Sequence, residues 1–300
     1  LLWCMPRGDL VSQAVEAASQ ADAVIVALGL SPRLEGEEMS VKLEGFEGGD
    51  RTSLSLPAIQ EELLSAVLAT GKPVVVVLMN GSPVASQQAQ GKADAVLLAG
   101  YPGVEGGNAI ADVLFGDYNP AGRLPVTYYS SVDQLPPFDE YDMTGRTYRY
   151  FKGTPLYPFG YGLSYTTFAY SDLEMPAKAV AGSEVKVKVT VTNTGKMTGD
   201  EVVQLYITDE KASSPRPVRQ LEGFDRITLK PGESRIVEFT IKPEQFSMIN
   251  DRDKRVIEPG WFTVSVGGGQ PVSGAVSGAE APPVVTARLR LTGREIPVSE

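Results

Sequence analysis

Apolar and polar positions follow two different periods along this chain. In the first part, short runs in which every position is apolar alternate with stretches of helical spacing. In the second part, apolar and polar residues alternate one by one. Uninterrupted apolar runs are typical of parallel strands buried on both faces, whereas a period of two is typical of antiparallel strands with one solvated face. The pattern predicts a mostly parallel α/β sandwich domain followed by an antiparallel β-sandwich.

Strands and helices are predicted to alternate in the first part. Three apolar runs predict strands over residues 23–28, 73–79 and 95–99. Helical spacing of apolar residues predicts helices over residues 10–20, 57–71, 82–90 and 106–115. Such alternation is typical of βαβ units, whose strands form a parallel sheet.

The remainder of the chain divides into a connecting segment and a second domain. Pro, Gly and Tyr are frequent in residues 131–170, which indicates an extended segment held by aromatic burial, since a flexible linker would be rich in Gly and Ser. Beyond it, the valines of residues 185–191 alternate with polar residues and are predicted to be core. We therefore expect an α/β domain over residues 1–130, the connecting segment over residues 131–170, and the β-sandwich over residues 171–300.

Composition and charge exclude several classes of function. The net charge of −10 disfavours nucleic acid and anionic membranes as partners. The chain has no histidine, which excludes a Ser-His-Asp triad and His-ligated metal sites, and its one cysteine allows no internal disulfide. It begins without Met or a signal peptide, so we expect a fragment. An upstream signal peptide would make the protein secreted or periplasmic, and the compartment stays open.

A long acidic loop follows the first predicted strand. The loop, residues 29–57, carries five glycines and six acidic residues, namely Glu35, Glu37, Glu38, Glu44, Glu47 and Asp50. Loops of this length are uncommon in compact domains unless they are functional or disordered, and ligands of open α/β sheets bind at the carboxyl ends of strands. Carboxylates there indicate acid/base chemistry; the alternative is a solvated acidic surface.

Two neighbouring segments bear on this loop. Gly48-Gly49-Asp50-Arg51 predicts a turn in which Asp50 caps the chain and pairs with Arg51. Residues 101–107 follow the third predicted strand and should lie on the same rim as the acidic loop, where they either line a cleft or simply turn the chain. No G-x-G-x-x-G or Walker pattern follows a strand, which disfavours a nucleotide-binding domain.

Several ordered motifs together resemble those of the family 3 glycoside hydrolases. The motifs are LEGEEM, GGDRTSLSLPAIQEELL, GKPVVVVLMNGSP, YPGVEGGNAIADVLFGDYNPAGRLPVTYY and YPFGYGLSYTTF. The resemblance runs in order from about residue 14 to residue 170 and is most similar to β-xylosidases and β-glucosidases. More loosely, the rest of the chain resembles that family's fibronectin type III-like domain, which implies a fibronectin III-like β-sandwich. The resemblance also implies that the α/β domain of residues 1–130 is truncated at its N-terminus.

This resemblance implies a division of the active site between domains. The family places a catalytic (β/α)₈ barrel with an Asp nucleophile first, and a general acid/base Glu on a loop of the α/β sandwich. An E-x-E pattern of that loop is matched by residues 35–37, which implies that Glu37 is the acid/base. Glu35 and Glu38 are implied to bind substrate, and Glu35 also to tune the pKa; Glu38 replaces a usual glycine, so the assignment can shift by one residue. No metal or organic cofactor is implied.

The expected function is hydrolysis of terminal β-D-xylosyl or β-D-glucosyl residues from the non-reducing end with retention. Retaining glycosidases need two carboxyl groups about 5–5.5 Å apart, and this chain would supply only one of them. The partners are therefore a β-linked oligosaccharide or glycoside and the missing N-terminal barrel. The alternative is a non-catalytic carbohydrate-binding or scaffold module. The choice between xylose and glucose and the oligomeric state stay open.

Overall fold

The computed structural model describes residues 8–271 and 281–298. The chain forms two compact units. The first unit comprises Leu1–Phe115 and Tyr128–Leu135, and the second comprises Gly116–Thr127 and Pro136–Glu300. The first is an α/β unit and the second is mostly antiparallel β-structure, which confirms the predicted fold class.

A parallel three-stranded sheet organises the first unit. The strands of the first unit are β1 (Val24–Gly29), β2 (Phe46–Glu47), β3 (Asp50–Arg51), β4 (Val74–Met79) and β5 (Ala95–Leu98). Its helices are α1 (Gly8–Gln20), α2 (Ala58–Leu68), α3 (Gln87–Lys92) and α4 (Gly106–Phe115), with a 3₁₀ turn at Val132–Gln134. The sheet order is β1-β4-β5 with parallel pairing throughout. The alternating apolar runs thus form the sheet that they predicted.

Apolar residues of the strands and helices form the core of this unit. Leu64 and Val67 of α2 are buried together with Val74 and Val76 of β4. The helix α3 begins at Gln87, five residues later than predicted, because Ser86 accepts a hydrogen bond from the Ala89 amide and so caps it there. The predicted elements are confirmed, with boundaries that local capping decides.

Two larger antiparallel sheets build the second unit. Its strands are β6 (Phe168–Glu174), β7 (Lys178–Val180), β8 (Val185–Asn193), β9 (Gly199–Asp209), β10 (Gln220–Leu229), β11 (Ser234–Ile241), β12 (Met248–Ile249), β13 (Arg255–Ile257), β14 (Gly260–Gly267), β15 (Val284–Thr292) and β16 (Ile296–Pro297). The helix α5 (Thr147–Tyr150) and a 3₁₀ turn at Pro243–Phe246 complete it. One sheet has the order β10-β9-β14-β15-β7, another β11-β8-β6, and a small third sheet β12-β13-β16. All of these pairings are antiparallel except that of β15 with β7.

The strand β8 shows most directly how the period of two becomes a core. Val185, Val187, Val189 and Val191 are all 0% exposed, whereas Lys186 between them is exposed. The four valines belong to one buried cluster that also contains residues of β9, β11, β14 and β15. Two sheets therefore share this core, as the alternation predicts.

Aromatic contacts hold part of the connecting segment. Tyr148 stacks on Phe159 with 4.2 Å between ring centroids, and Tyr157 stacks on Tyr161 with 5.4 Å. Tyr148 also meets Tyr206 of β9 edge to face. These contacts confirm aromatic packing over residues 148–161.

The same prediction of aromatic burial is wrong for two residues of the segment. Phe138 is 98% exposed and Tyr141 is 94% exposed. Both belong to a turn over residues 137–143, which is closed by hydrogen bonds from Arg146.

A buried ion pair ties the residues before the connecting segment to the sandwich. Arg123 donates through Nη2 to Oε2 of Glu201 on β9 at 2.7 Å, and the two side chains are 10% and 4% exposed. The second oxygen of Glu201 accepts a hydrogen bond from the Tyr170 hydroxyl at 2.6 Å. Burial raises the pKa of Glu201, and Arg123 and Tyr170 offset only part of that rise.

Candidate active site

The carboxyl end of β1 is fixed by a glutamine of α2. Gln60 accepts a hydrogen bond from the Gly29 amide and donates one to the Gly29 carbonyl, both at 2.8 Å. Gly29 has φ +148°, and a Cβ there would lie 1.8 Å from the Met79 carbonyl oxygen of β4. Only glycine fits this close approach, so the acidic loop leaves the sheet from a fixed point.

The acidic loop contains a small hairpin that packs against its own first half. Strands β2 and β3 are joined by Gly48 and Gly49, which have φ +59° and +95°. Both glycines therefore adopt the left-handed conformation that two-residue hairpin turns require. The Gly48 carbonyl accepts a hydrogen bond from the Met39 amide at 2.7 Å, and a Cβ on Gly49 would lie 1.6 Å from the Gly36 carbonyl oxygen. The loop is thus folded into a defined structure.

Glu35 joins this loop to the ends of the other two strands of the sheet. Its carboxylate accepts hydrogen bonds from the amides of Gly81 and Ser82 at 3.1 and 2.9 Å, just after β4. It also accepts hydrogen bonds from the Ser82 and Tyr101 hydroxyls, and Tyr101 follows β5. Arg51 lies 4.0 Å away, and the Glu35 side chain is 9% exposed. The residue thus ties together three segments at the carboxyl edge of the sheet.

These contacts set the protonation of the cluster. Burial raises the pKa of Glu35, but the hydrogen bonds from Ser82, Tyr101 and Gly81 outweigh it and hold the pKa below its ordinary value of 4.5. Burial, followed by the hydrogen bond to Glu35, raises the pKa of Tyr101 to about 12. At neutral pH Glu35 is therefore an anion and Tyr101 a hydrogen-bond donor to it. The segment 101–107 thus reaches the rim of the acidic loop, as predicted.

Arg51 has different partners from those predicted. Asp50 and Arg51 form β3 and do not pair with each other in a salt bridge. Instead the guanidinium donates to the carbonyls of Ser53 and Ser55 and to the Ser82 hydroxyl, each at 2.9 Å. The predicted Asp50–Arg51 pair is wrong because adjacent residues of a strand point to opposite faces, whereas Arg51 turns toward the buried Glu35.

Glu37 and Glu38 lie on the exposed side of the loop. Among the described residues, neither side chain makes a hydrogen bond or an ion pair. Glu38 has φ +50°, a conformation that non-glycine residues adopt at some cost. Glu47 on β2 is likewise exposed and without a partner in the described ranges. The loop therefore presents five carboxylates to solvent, those of Glu37, Glu38, Glu44, Glu47 and Asp50, whereas the Glu35 carboxylate is held by contacts within the described residues.

This arrangement separates a supporting carboxylate from others that are free to react. The two oxygens of Glu35 already accept four hydrogen bonds, which matches the roughly four lone-pair sites of a carboxylate. Its assignment and that of Glu38 to substrate binding stay predictions, as does the acid/base role of Glu37. The exposed carboxylates can give and take protons from a group that reaches the loop.

The first unit also contains a polar cavity of about 400 Å³. It is lined by Ser53–Ser55, Glu61, Gln87 and Gln88, and residues of 130–132, and none of Glu35, Glu37 and Glu38 takes part. Within residues 8–271 and 281–298 no group of three His, Cys, Asp or Glu side chains is arranged to hold a metal ion, and no helix in these ranges has the length and apolarity to cross a membrane.

Sequence reasoning found the loop but missed part of its support. Ser82 supplies two of the four donors to Glu35, and the only local signal is a polar Asn80-Gly81-Ser82 run directly after a buried strand. Glu47 was noted only as one of six acidic residues. Its place on a hairpin strand becomes visible once the Gly48-Gly49 turn is seen to be a two-residue hairpin.

Replacing Glu35 with Gln should lower the free energy of unfolding at pH 7 by about 1.5–3 kcal/mol, because an amide cannot accept all four hydrogen bonds of the buried carboxylate. A group whose pKa is lowered by folding stabilises the protein above its unfolded pKa and loses this contribution as the pH falls through the folded value. The deficit of the variant should therefore shrink below about pH 4.5. Urea unfolding between pH 3 and 7 measures it, with Glu44→Gln as exposed control. A deficit that does not change with pH would contradict the assignment.

Comparison with known proteins adds family membership to this geometry. Residues 8–165 match the Glycosyl hydrolase family 3 C-terminal domain, and residues 201–270 match the Fibronectin type III-like domain. The first match covers more than half of the chain and includes the whole acidic loop.

Similar proteins are glycosidases. A periplasmic beta-glucosidase of Salmonella typhimurium is 45% identical over 86% of this chain, and a xylan 1,4-beta-xylosidase of Xylanibacter ruminicola is 50% identical over 70% of it. The chain spans 34% and 24% of these relatives. The solved β-glucosidase EmGH1 of Erythrobacter marinus is 38% identical with a TM-score of 0.80, over 95% of this chain and 36% of that one. With its fold, its loop and these matches, the chain belongs to glycosyl hydrolase family 3.

Proposed function

We propose that this chain is the C-terminal part of a retaining exo-acting β-glycosidase that removes terminal β-D-xylosyl or β-D-glucosyl residues, and that its acidic loop supplies the general acid/base. The observation that carries the proposal is a set of exposed carboxylates, without a partner among the described residues, on a loop that Glu35 anchors at the carboxyl edge of the sheet. A family whose similar members are named β-glucosidases and β-xylosidases supports it.

The second carboxylate of the reaction would come from the rest of the polypeptide. In a retaining mechanism one carboxylate attacks the sugar, while the other protonates the leaving oxygen and later activates water. The relatives are about three times as long as this chain, which supports an N-terminal barrel carrying the nucleophile. The family matches over 8–165 and 201–270 support two domains that meet between residues 165 and 201, and the divisions at residues 130 and 170 stay predictions. The 300-residue chain alone should then lack hydrolytic activity.

Two carboxylates are the leading candidates for the acid/base. Glu37 is favoured by the E-x-E pattern and follows Gly36, whose carbonyl lies against Gly49. Glu47 is favoured by its backbone, since β2 holds it opposite Asp50 in a two-residue hairpin. Catalytic groups need to be held in a fixed geometry, which both positions offer. Glu38 is the one-residue alternative to Glu37.

The test uses the full-length protein with Glu37→Ala, Glu38→Ala and Glu47→Ala as separate variants. Loss of the acid/base should slow hydrolysis of glycosides with poor leaving groups by about 10²–10⁴-fold, because their departure needs protonation. Aryl glycosides with good leaving groups should still form the glycosyl-enzyme. Azide attacks this intermediate without base help, so it should restore turnover and yield the β-glycosyl azide. We expect this behaviour for Glu37→Ala.

Glu44→Ala is the matched control, because Glu44 is exposed on the same loop and is not a candidate. It should retain activity and show no azide effect. Rescue of Glu38→Ala or Glu47→Ala in place of Glu37→Ala would move the role to that residue and keep the loop. If every variant keeps wild-type activity, the loop is a solvated surface and the chain is a non-catalytic module of its enzyme.

A further inference from the structure

A short hydrogen-bonded turn of the second unit carries exposed aromatic side chains. We call residues 137–143 the aromatic turn. Arg146 closes it by donating through Nη2 to the carbonyls of Pro137 and Glu140, at 2.9 and 2.5 Å. The Glu140 amide also donates to the Pro137 carbonyl at 3.1 Å. The backbone of the turn is therefore held from within.

Further hydrogen bonds fix the second half of the turn. The Asp142 amide donates to the Glu140 side chain at 3.1 Å, and the Thr144 amide donates to the Asp142 side chain at 2.6 Å. The hydrogen bond from Thr144 lowers the pKa of Asp142, which keeps this carboxyl ionised at neutral pH. Gly145 follows with φ +78° and turns the chain back. These hydrogen bonds offset part of the entropy cost of ordering the loop.

The side chains carried by this ordered backbone face solvent. Phe138 and Tyr141 are 98% and 94% exposed, and Met143 is 45% exposed. Single exposed apolar residues are ordinary, but an apolar group presented together on a fixed turn indicates an interaction site. Asp139, Glu140 and Asp142 surround it, and residues 137–143 contain no Lys or Arg. The surface is thus aromatic at its centre and acidic at its rim.

We propose that the aromatic turn is a docking surface for the N-terminal part of the full-length polypeptide, which receives Phe138 and Tyr141 in an apolar pocket with a basic rim. The length of the relatives identifies the occupant, and the acidic residues of the turn call for a complementary basic rim. Relatives carry about two thirds of their length outside the region that this chain matches, so a large covering body is available in the same molecule. Protein interfaces usually have aromatic residues in their buried centre and polar or charged residues at their rim. This docking proposal shares one assumption with the proposed function, namely that the chain is part of a longer polypeptide with an additional N-terminal part.

Hydroxyl-radical footprinting tests the proposal without reading activity. Oxidation rates of Phe138 and Tyr141 are compared between the 300-residue chain and the full-length protein. Both rates should fall several-fold in the full-length protein. Phe224 of β10, which is 70% exposed, serves as the internal reference and should keep its rate. Equal rates for Phe138 and Tyr141 in the two proteins would overturn the proposal, whether or not the enzyme is active.

A pair of variants supplies a second, independent measurement. Phe138→Ser with Tyr141→Ser should leave the melting temperature of the 300-residue chain within about 2 °C, because both side chains are exposed there. The same change should lower the melting temperature of the full-length protein by several degrees, and Phe224→Ser should not. Protection of the two rings in the 300-residue chain by xylo- or gluco-oligosaccharides would instead make the turn a sugar-stacking site and overturn the docking assignment.

Discussion

Val189→Asp should destabilise the second unit by about 3 kcal/mol or more, because it places a carboxylate without a partner in a closed apolar core. Val189 is 0% exposed and lies opposite Val237 of β11, which is 3% exposed. Residues of both sheets surround Val189 in the cluster, so the new carboxylate cannot reach water. Chemical unfolding followed by circular dichroism measures the loss. A variant that fails to accumulate in folded form agrees with it.

Lys186→Asp is the matched control on the same strand. Lys186 is exposed and lies opposite Thr240, so an aspartate there meets neither the core nor an acidic neighbour directly across the sheet. Changes at such positions usually stay within about 0.5 kcal/mol. Similar losses for Val189→Asp and Lys186→Asp would show that the register of β8 is wrong.

Arg123→Ala should destabilise the protein by about 3–5 kcal/mol at neutral pH, since it leaves Glu201 buried without its counter-charge. The Glu201 side chain is 4% exposed, and Tyr170 offers a single hydrogen bond in compensation. Burial already raises the pKa of Glu201, and removing Arg123 should raise that pKa further. Protonation then removes the unpaired charge, so the loss should become smaller as the pH falls. Urea unfolding at pH 5 and pH 8 measures both effects.

The double variant Arg123→Met with Glu201→Met separates the lone charge from the lost contacts. Replacing both members of a buried ion pair with apolar residues of similar size is often close to neutral. The double variant should therefore be more stable than Arg123→Ala, and its stability should depend less on pH. A double variant as unstable as the single one would show that packing around Arg123, not the charge of Glu201, accounts for the loss.

Periodic segments could be predicted from the sequence because the same requirement, burial or exposure of the side chain, recurs at regular spacing in them. In residues 185–191 every second side chain must leave water, and no other arrangement of that strand satisfies all four valines. The strand at residues 74–79 is apolar at each position for a similar reason, since the side chains on both of its faces are buried or half-buried. In such segments the local sequence pattern and the tertiary structure require the same residues to be buried.

The partners within the candidate site could not be predicted in the same way. Arg51 has an acidic neighbour in sequence, yet it turns toward Glu35 and Ser82, which lie 16 residues before it and 31 residues after it. These contacts exist only because parallel pairing brings the carboxyl ends of β1, β4 and β5 to one edge. The sequence indicated the edge and the loop, and the structure decides which carboxylate becomes buried.

Aromatic content proved an incomplete guide to burial for a related reason. Residues 148–161 and the aromatic turn have similar compositions, but the stacked pair Tyr148 and Phe159 contacts Tyr206, whereas Phe138 and Tyr141 have no such platform. Aromatic composition indicates only that burial of these side chains is favourable. Whether a surface is available to receive the ring depends on the remainder of the polypeptide.

The contact between Gly49 and Gly36 limits which positions of the acidic loop can be varied. Any side chain at position 49 would collide with the Gly36 carbonyl, so libraries that vary this position would mostly sample misfolded loops. Ser40, Lys42 and Glu44 lie on the exposed side of the intervening segment and carry no such constraint. A mutagenesis library of the acidic loop should therefore diversify those three positions and hold the two glycines constant.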